Sequence, residues 1–296
     1  MQKFDQVRRA RLKTSLIRFF LILSFPWLVL CVVLHQCGRP LSPGFSGQQR
    51  LDHLELLAYM NRSKRSRDCK NVIPSYDVLL VSPGGTGSSS SFRWFRTTFG
   101  TSIKINTSVD LDGLKHLSFL NLLAKLHACH SHTRLIIYNF ANPVDAIFSL
   151  TRRGFAQSQM QKLGSTCSYP KDALKNVTTY ASLKRDILGF EEHIASFILG
   201  GLSMVGIPVV FLRSTTRNEP QVAAHLNAIL QMYGVKTKGA NFNSKMHSVQ
   251  NFTYLSKYEN HSSYHILENT YKGLLDLHIK LGFLAISNGT QLTRVL

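Results

Sequence analysis

Apolar residues in this chain fall into short blocks separated by polar stretches rich in Gly, Pro, Ser and Asn. Three blocks have the length and β-branched content of buried strands: Asp77–Val81, Arg134–Asn139 and Ile207–Arg213. Between them the apolar spacing turns helical. A helix carrying Phe92, Trp94, Phe95 and Phe99 follows the first strand. Residues Asp110–Leu126 place Leu114, Leu117, Leu120, Leu123 and Leu126 at helical intervals. Further helices are predicted from Pro143, with Asn142 as N-cap, over Lys184–Leu202, over Glu219–Tyr233 with Gly234 just beyond, and over Tyr271–Ile286. The stretch 235–263 is polar. Strands alternating with helices predict an α/β fold with a parallel sheet.

The first block of the chain is different. Phe19–Leu34 carries no charge, and with Ser15–Ile17 and a snorkelling Arg18 it is long enough to cross a thin bilayer. Lys3, Arg8, Arg9, Arg11, Lys13 and Arg18 stand before or at its edge, against Asp5 alone. That bias predicts a cytosolic N-terminus and a luminal body. A cleaved signal peptide fits less well, because no A-x-A-like site follows. The predicted organisation is a tail over 1–15, a transmembrane signal anchor over 16–35, a Gly/Pro/Ser-rich stem over 36–70 with a short helix at Leu51–Met60, and a body over 71–296.

Six N-x-[ST] sequons, at Asn61, Asn106, Asn176, Asn251, Asn260 and Asn288, agree with a glycosylated luminal protein. In an oxidising lumen Cys37, Cys69, Cys129 and Cys167 have partners for up to two disulfides. His127, His130 and His132 cluster around Cys129, but no CxxC or zinc spacing is present, so no metal is expected. The net charge is +19. The tail accounts for only part of it, so the body is basic and suits anionic partners such as phosphorylated nucleotides or acidic glycans.

Two stretches carry chemistry. The first is Pro83-Gly84-Gly85-Thr86-Gly87-Ser88-Ser89, between the first strand and a helix start. Glycines let backbone amides approach a ligand, and Ser88–Ser91 supply N-cap side chains with free helix N-terminal amides. Strand, glycine loop and helix start together form a phosphate cradle. A Walker A loop is excluded, since no Lys follows Gly87. The second stretch is Asn142-Pro143-Val144-Asp145 with Ser149, Arg152 and Arg153 within about two turns. A hydroxyl with two guanidiniums one turn away can hold a phosphate.

In this order the two stretches resemble the sulfotransferases, particularly the membrane-anchored Golgi kind. Gly87-Ser88-Ser89 is similar to that family's Gly-Ser/Thr-Ser/Thr, Asn142-Pro143-x-Asp145 to Ser149 to its second element, and Phe211-Leu212-Arg213 to its later strand. Lys115-His116-Leu117 is similar to its Lys-x-His-Leu segment, one residue shorter. The resemblance covers roughly residues 76–233. It implies a P-loop-like three-layer sheet flanked by helices. It also implies the donor 3′-phosphoadenosine 5′-phosphosulfate (PAPS), held by Gly84, Gly85, Thr86, Gly87, Ser88 and Ser89 at its phosphosulfate and by Ser149, Arg152 and Arg153 at its 3′-phosphate. His116 is the implied base. The acceptor implied is a hydroxyl of an anionic glycan or glycoprotein in the Golgi lumen, with no metal and no nucleic acid involved. Two basic positions of the family pattern are here Gly85 and Ala141. Arg93 or Arg96, and Arg152 or Arg153, are the substitutes the sequence offers.

Two other readings compete. Gly85 and Ala141 suit an inactive, glycan-binding or scaffolding relative. A kinase on a degenerate P-loop needs a carboxylate at a strand end, where this chain has Asn139 and Arg213.

Overall fold

The computed structural model describes residues 73–107, 110, 113–163, 165, 169, 172–203, 207–217, 219–238, 256, 258–287 and 292–296. The chain divides into two units, Met1–Pro43 and Gly44–Leu296, and the described residues all belong to the second. The predicted anchor, the stem and the Leu51–Met60 helix lie outside the described residues. Among the described residues no helix is long and apolar enough to cross a membrane.

The body is a mixed α/β fold on a five-stranded sheet. Its strands are β1 (Tyr76–Val81), β2 (Thr133–Phe140), β3 (Val209–Arg213), β4 (Leu284–Ser287) and β5 (Leu292–Arg294), adjacent in that order. β1, β2 and β3 are parallel, with Val78 beside Leu135 and Ile137 beside Val210. β4 and β5 turn antiparallel.

The helices are α1 (Ser88–Phe99), α2 (Phe119–Ala128), α3 (Pro143–Arg152), α4 (Ala156–Leu163), α5 (Val177–Ser182), α6 (Phe190–Ser203), α7 (Pro220–Met232), α8 (Tyr264–Thr270) and α9 (Lys272–Leu281). Period-two alternation splits the strands between two apolar cores. Val78, Leu80, Leu135, Ile137, Val210 and Leu212 face α1 and α7, where Phe95, Phe99, Leu226 and Leu230 are fully buried. Leu79, Val81, Ile136, Tyr138, Phe140 and Phe211 face the other side, against α2, α3, α6, α8 and α9. Burial on both faces explains why these strands read as continuous apolar runs.

Three expectations are corrected. The Asp110–Leu126 helix begins only at Phe119. Asp110 and Gly113 take left-handed backbone angles (φ 59° and 62°), and the Asp110 carboxylate accepts from the Lys115 amide at 2.9 Å, which holds 113–117 as a turn. The Lys184–Leu202 helix begins at Phe190, after a loop built on Asp186. Asp186 is buried and accepts from the amides of Gly189 and Glu191 and from the Tyr271 hydroxyl. The Tyr271–Ile286 helix stops at Leu281, and its apolar end becomes β4. Gly282 enforces the stop with φ 69°; a Cβ there would lie 2.2 Å from the Leu296 carbonyl oxygen.

Burial also sorts the sequons. Asn106 is fully buried beside β1; its Nδ2 donates to the Leu80 carbonyl at 3.0 Å, and its Oδ1 accepts from the Leu80 amide at 2.8 Å. Asn176 and Asn260 are exposed. A chain made in a glycosylating compartment is therefore expected to carry glycan at Asn176 and Asn260 and none at Asn106. Glycopeptide mass spectrometry reads this directly, and a modified Asn106 in folded protein contradicts it. Cys129 is disulfide-bonded.

Candidate functional site

The site forms at the carboxyl ends of β1, β2 and β3, where open α/β sheets bind ligands. The chain leaves β1 at Val81, runs through Ser82–Gly87 and enters α1. Gly84, Gly85 and Gly87 all have positive φ, at 88°, 71° and 72°. The loop is pressed against the helices beneath it. A Cβ on Gly85 would lie 2.7 Å from the Ala146 carbonyl oxygen of α3, and one on Gly84 would lie 2.5 Å from Cδ of Gln159 on α4.

Two strand ends clamp the loop's centre. Asn139 Nδ2 donates to Thr86 Oγ1 at 3.2 Å, and the Asn139 Oδ1 accepts from Ser91 at 2.9 Å. Ser214 Oγ lies 2.6 Å from the Thr86 carbonyl. Thr86 is thus turned inward and buried, and its hydroxyl serves the loop's shape. The serines do not cap α1 through their side chains: the N-cap is Gly87 in the left-handed region, and Ser90 Oγ donates to the Gly87 carbonyl at 2.8 Å.

This geometry leaves backbone donors free. Among the described residues nothing accepts a hydrogen bond from the amides of Gly84, Gly85, Thr86, Gly87, Ser88 or Ser89. Gly87 and Ser89 are exposed and Gly85 is half-buried, while Gly84, Thr86 and Ser88 are buried, so solvent reaches the row at its Gly85, Gly87 and Ser89 positions. Consecutive unpaired amides at a helix start attract anions. Beside them lies a donor that composition gave no reason to select: Gln159 is 6% exposed, and its Nε2 has no hydrogen-bond partner among the described residues. That nitrogen lies 2.8 Å from the position of a Gly84 Cβ. A buried donor without an acceptor costs about 1–3 kcal/mol, so its persistence at a loop of free amides is informative.

Arg217 is the second residue that sequence reasoning missed. It follows β3 in a turn, donates through Nη1 to the Ser214 carbonyl at 2.6 Å and through Nη2 to Ser90 Oγ at 2.9 Å. Partial burial lowers its pKa, yet a guanidinium stays charged. It thus fixes a cation at the start of α1. Arg213, by contrast, is committed to the core, with Nη2 donating to the His278 carbonyl at 2.7 Å and its plane near Phe140 and Phe283. Arg93 and Arg96 are exposed on α1.

His116 joins the loop from the turn before α2. Its Nδ1 lies 2.7 Å from the Ser82 carbonyl oxygen. A carbonyl only accepts, so Nδ1 carries the proton and Nε2 presents a lone pair. Burial, opposed by that hydrogen bond, lowers the His116 pKa to about 4, so the ring is neutral at physiological pH. Fully buried His193 holds the neighbouring backbone. Its Nε2 donates to the Leu117 carbonyl at 3.0 Å, and its Nδ1 accepts from Tyr138 at 2.9 Å; burial lowers its pKa to about 3. Lys115, also buried, lies with Nζ 5.3 Å from the Phe92 ring centre.

The second sequence element sits on α3. Asn142 caps the helix by accepting from the Val144 amide at 2.9 Å, with Pro143 in the first turn. Ser149 is half-buried, Arg152 and Arg153 are exposed, and Arg153 Nε donates to the Ser149 carbonyl at 3.0 Å. The link between the two elements is the contact of Gly85 with Ala146, one turn before Ser149. Among the described residues no group of three His, Cys, Asp or Glu side chains is placed to hold a metal ion.

No family model, no curated protein and no solved structure matches this chain. The functional reading therefore stands on the site's geometry and on the resemblance of its motifs.

Proposed function

We propose that this protein is a PAPS-dependent sulfotransferase acting on a glycan hydroxyl. In this reading it is anchored as a single-pass type II protein of the Golgi membrane, with a P-loop-like three-layer body in the lumen. The observation that carries the proposal is the row of unpaired amides from Gly84 to Ser89, with the orphaned Gln159 donor at one end and Arg217 at the other. The residues present fit an anionic group with phosphate-like oxygens: backbone N–H groups, a neutral amide and one fixed cation. Ser149, Arg152 and Arg153 stand beyond Ala146 for a second phosphate.

When bound, PAPS supplies a sulfuryl group on a phosphate leaving group. The chain's residues then do three things. The loop amides and Arg217 carry the charge left on the phosphate as its bond to sulfur breaks. His116 Nε2 takes the proton of the acceptor hydroxyl as the new sulfur–oxygen bond forms. The Ser82 carbonyl holds the ring in the tautomer this requires, and His193 holds the backbone beside it. A base with a pKa of about 4 is unprotonated but weak. Negative charge bound at the adjacent loop raises that pKa and strengthens the base when it is needed.

One observation favours the inactive-relative reading. The Gly85 backbone abuts α3 so closely that the loop has no room for the basic side chain of the family pattern. Calorimetry with adenosine 3′,5′-bisphosphate tests the donor site, using the full-length chain in detergent. Wild type is expected to bind, and Arg217→Ala to bind about tenfold or more weakly, the effect of one charge-assisted hydrogen bond. Ser149→Ala and Arg152→Ala test the 3′-phosphate end. Folded protein that does not bind removes the enzyme reading; binding without transfer to any acceptor supports the inactive relative.

A further inference from the structure

A second concavity lies beside the loop and plays no part in donor binding as described. It is a groove of about 440 Å³ between the start of α3 and one side of α8 and α9. That volume falls within the roughly 300–1,000 Å³ range of small-molecule sites. Asn142 forms one wall, four residues before the Ala146 that touches Gly85, or about 6 Å along the helix. Groove and loop therefore flank the same first turn of α3 at the carboxyl end of β2.

The groove's chemistry departs from that of the chain. The protein carries 35 Lys and Arg against 16 Asp and Glu, yet the groove presents Glu268 and Asp276 against Lys272 alone. Glu268 is already employed, with Oε1 3.5 Å from the Tyr264 hydroxyl and Oε2 3.4 Å from His265 Nδ1. Asp276 is exposed, and its carboxylate makes no ion pair or hydrogen bond among the described residues. Ile279, 57% exposed, gives the rim an apolar patch. A free carboxylate, a lysine, side-chain amides and an apolar rim form a mixed set of donors and acceptors. An anionic group would meet two carboxylates, and a cation would meet Lys272. Neutral sugar rings, with hydroxyls that donate and accept and an apolar C–H face, match all of it.

We propose that this groove is a subsite for neutral saccharide rings and that it seats the acceptor sugar. Its acceptor role rests on the sulfotransferase reading; its saccharide binding does not. The basic outer surface remains for any charged units of a longer glycan.

The test is saturation-transfer NMR and titration on the full-length chain in detergent, without donor. The probes are lactose, N-acetyllactosamine and chitobiose, with a heparin disaccharide and trilysine as charged comparisons. At least one neutral disaccharide is expected to bind. Asp276→Ala is expected to weaken it about tenfold, as loss of a charged hydrogen-bond partner does. Ile279→Arg, which places a charge on the exposed rim, is expected to weaken it without unfolding the chain. Arg217→Ala is expected to leave it unchanged. Failure of all three neutral probes to bind folded protein overturns the proposal, as does binding that ignores both groove variants or a groove that prefers trilysine or the heparin disaccharide. Saccharide binding without adenosine bisphosphate binding keeps the groove and removes the sulfotransferase reading; the reverse removes the groove alone.

Discussion

Replacing Gly85 by Lys, the residue the family pattern would have there, is expected to damage this protein rather than improve it. Two costs add. A side chain at φ 71° costs about 1–2 kcal/mol. A Cβ 2.7 Å from the Ala146 carbonyl oxygen and 2.9 Å from its Cα meets backbone that must shift, which adds about 1–3 kcal/mol. The sum is about 2–5 kcal/mol, enough to lower the melting temperature by roughly 5–15 °C in a domain of this size. The displaced loop also loses its row of free amides, so adenosine bisphosphate binding is expected to fall with stability. A Gly85→Lys protein that melts at the wild-type temperature and binds more tightly would show that the loop does not lie on α3.

The second large effect is expected at His116. In the proposed mechanism His116 is the base, so His116→Ala is expected to remove about 10²–10⁴-fold of turnover. Donor binding is expected to survive, because the ring approaches the loop through the Ser82 carbonyl rather than through the free amides. The pH dependence gives a sharper reading. The folded-state pKa is depressed below the ordinary 6.5, so the ring stays neutral as pH falls through 6.5 and protonates only near 4. Without donor, histidine C2–H exchange followed by mass spectrometry is expected to titrate His116 near pH 4. With donor product bound, the midpoint is expected to rise. The same sign governs stability. The unfolded state takes up the proton first, so the contribution of this neutral ring is full above pH 6.5 and declines as pH drops toward 4. A midpoint near 6.5 in the folded protein contradicts the burial on which the account depends.

Much of the fold was legible in the sequence because β1, β2 and β3 are buried on both faces and flanked by amphipathic helices. Apolar blocks of strand length and the Asn142-Pro143 helix start are local signals, and local rules read them. β4 was not legible. Its apolar residues continue the α9 pattern, and what ends the helix is Gly282 meeting the distant Leu296. The turn around His116 was missed for a similar reason: leucine spacing continues across it, while the Asp110 carboxylate decides the backbone.

The site divides in the same way. The glycine loop was visible because glycine composition marks it. Thr86 looked like a ligand residue, and long-range bonds from Asn139 and Ser214 turn it inward. Gln159 and Arg217 carried no local signal, since Gln159 is one of three glutamines on its helix and one arginine in a turn is common. They become conspicuous only when the fold sets one against Gly84 and the other against Ser90.

If the loop amides hold an anionic donor, as proposed, backbone hydrogen exchange at those amides reports it. The full-length chain would be exchanged with and without adenosine 3′,5′-bisphosphate, and peptides spanning 82–92 compared with the rest. Slowed exchange is expected at Gly84–Ser89, with little change in α7 or β5. Binding that leaves those amides exchanging as before, or protects a different surface, contradicts it.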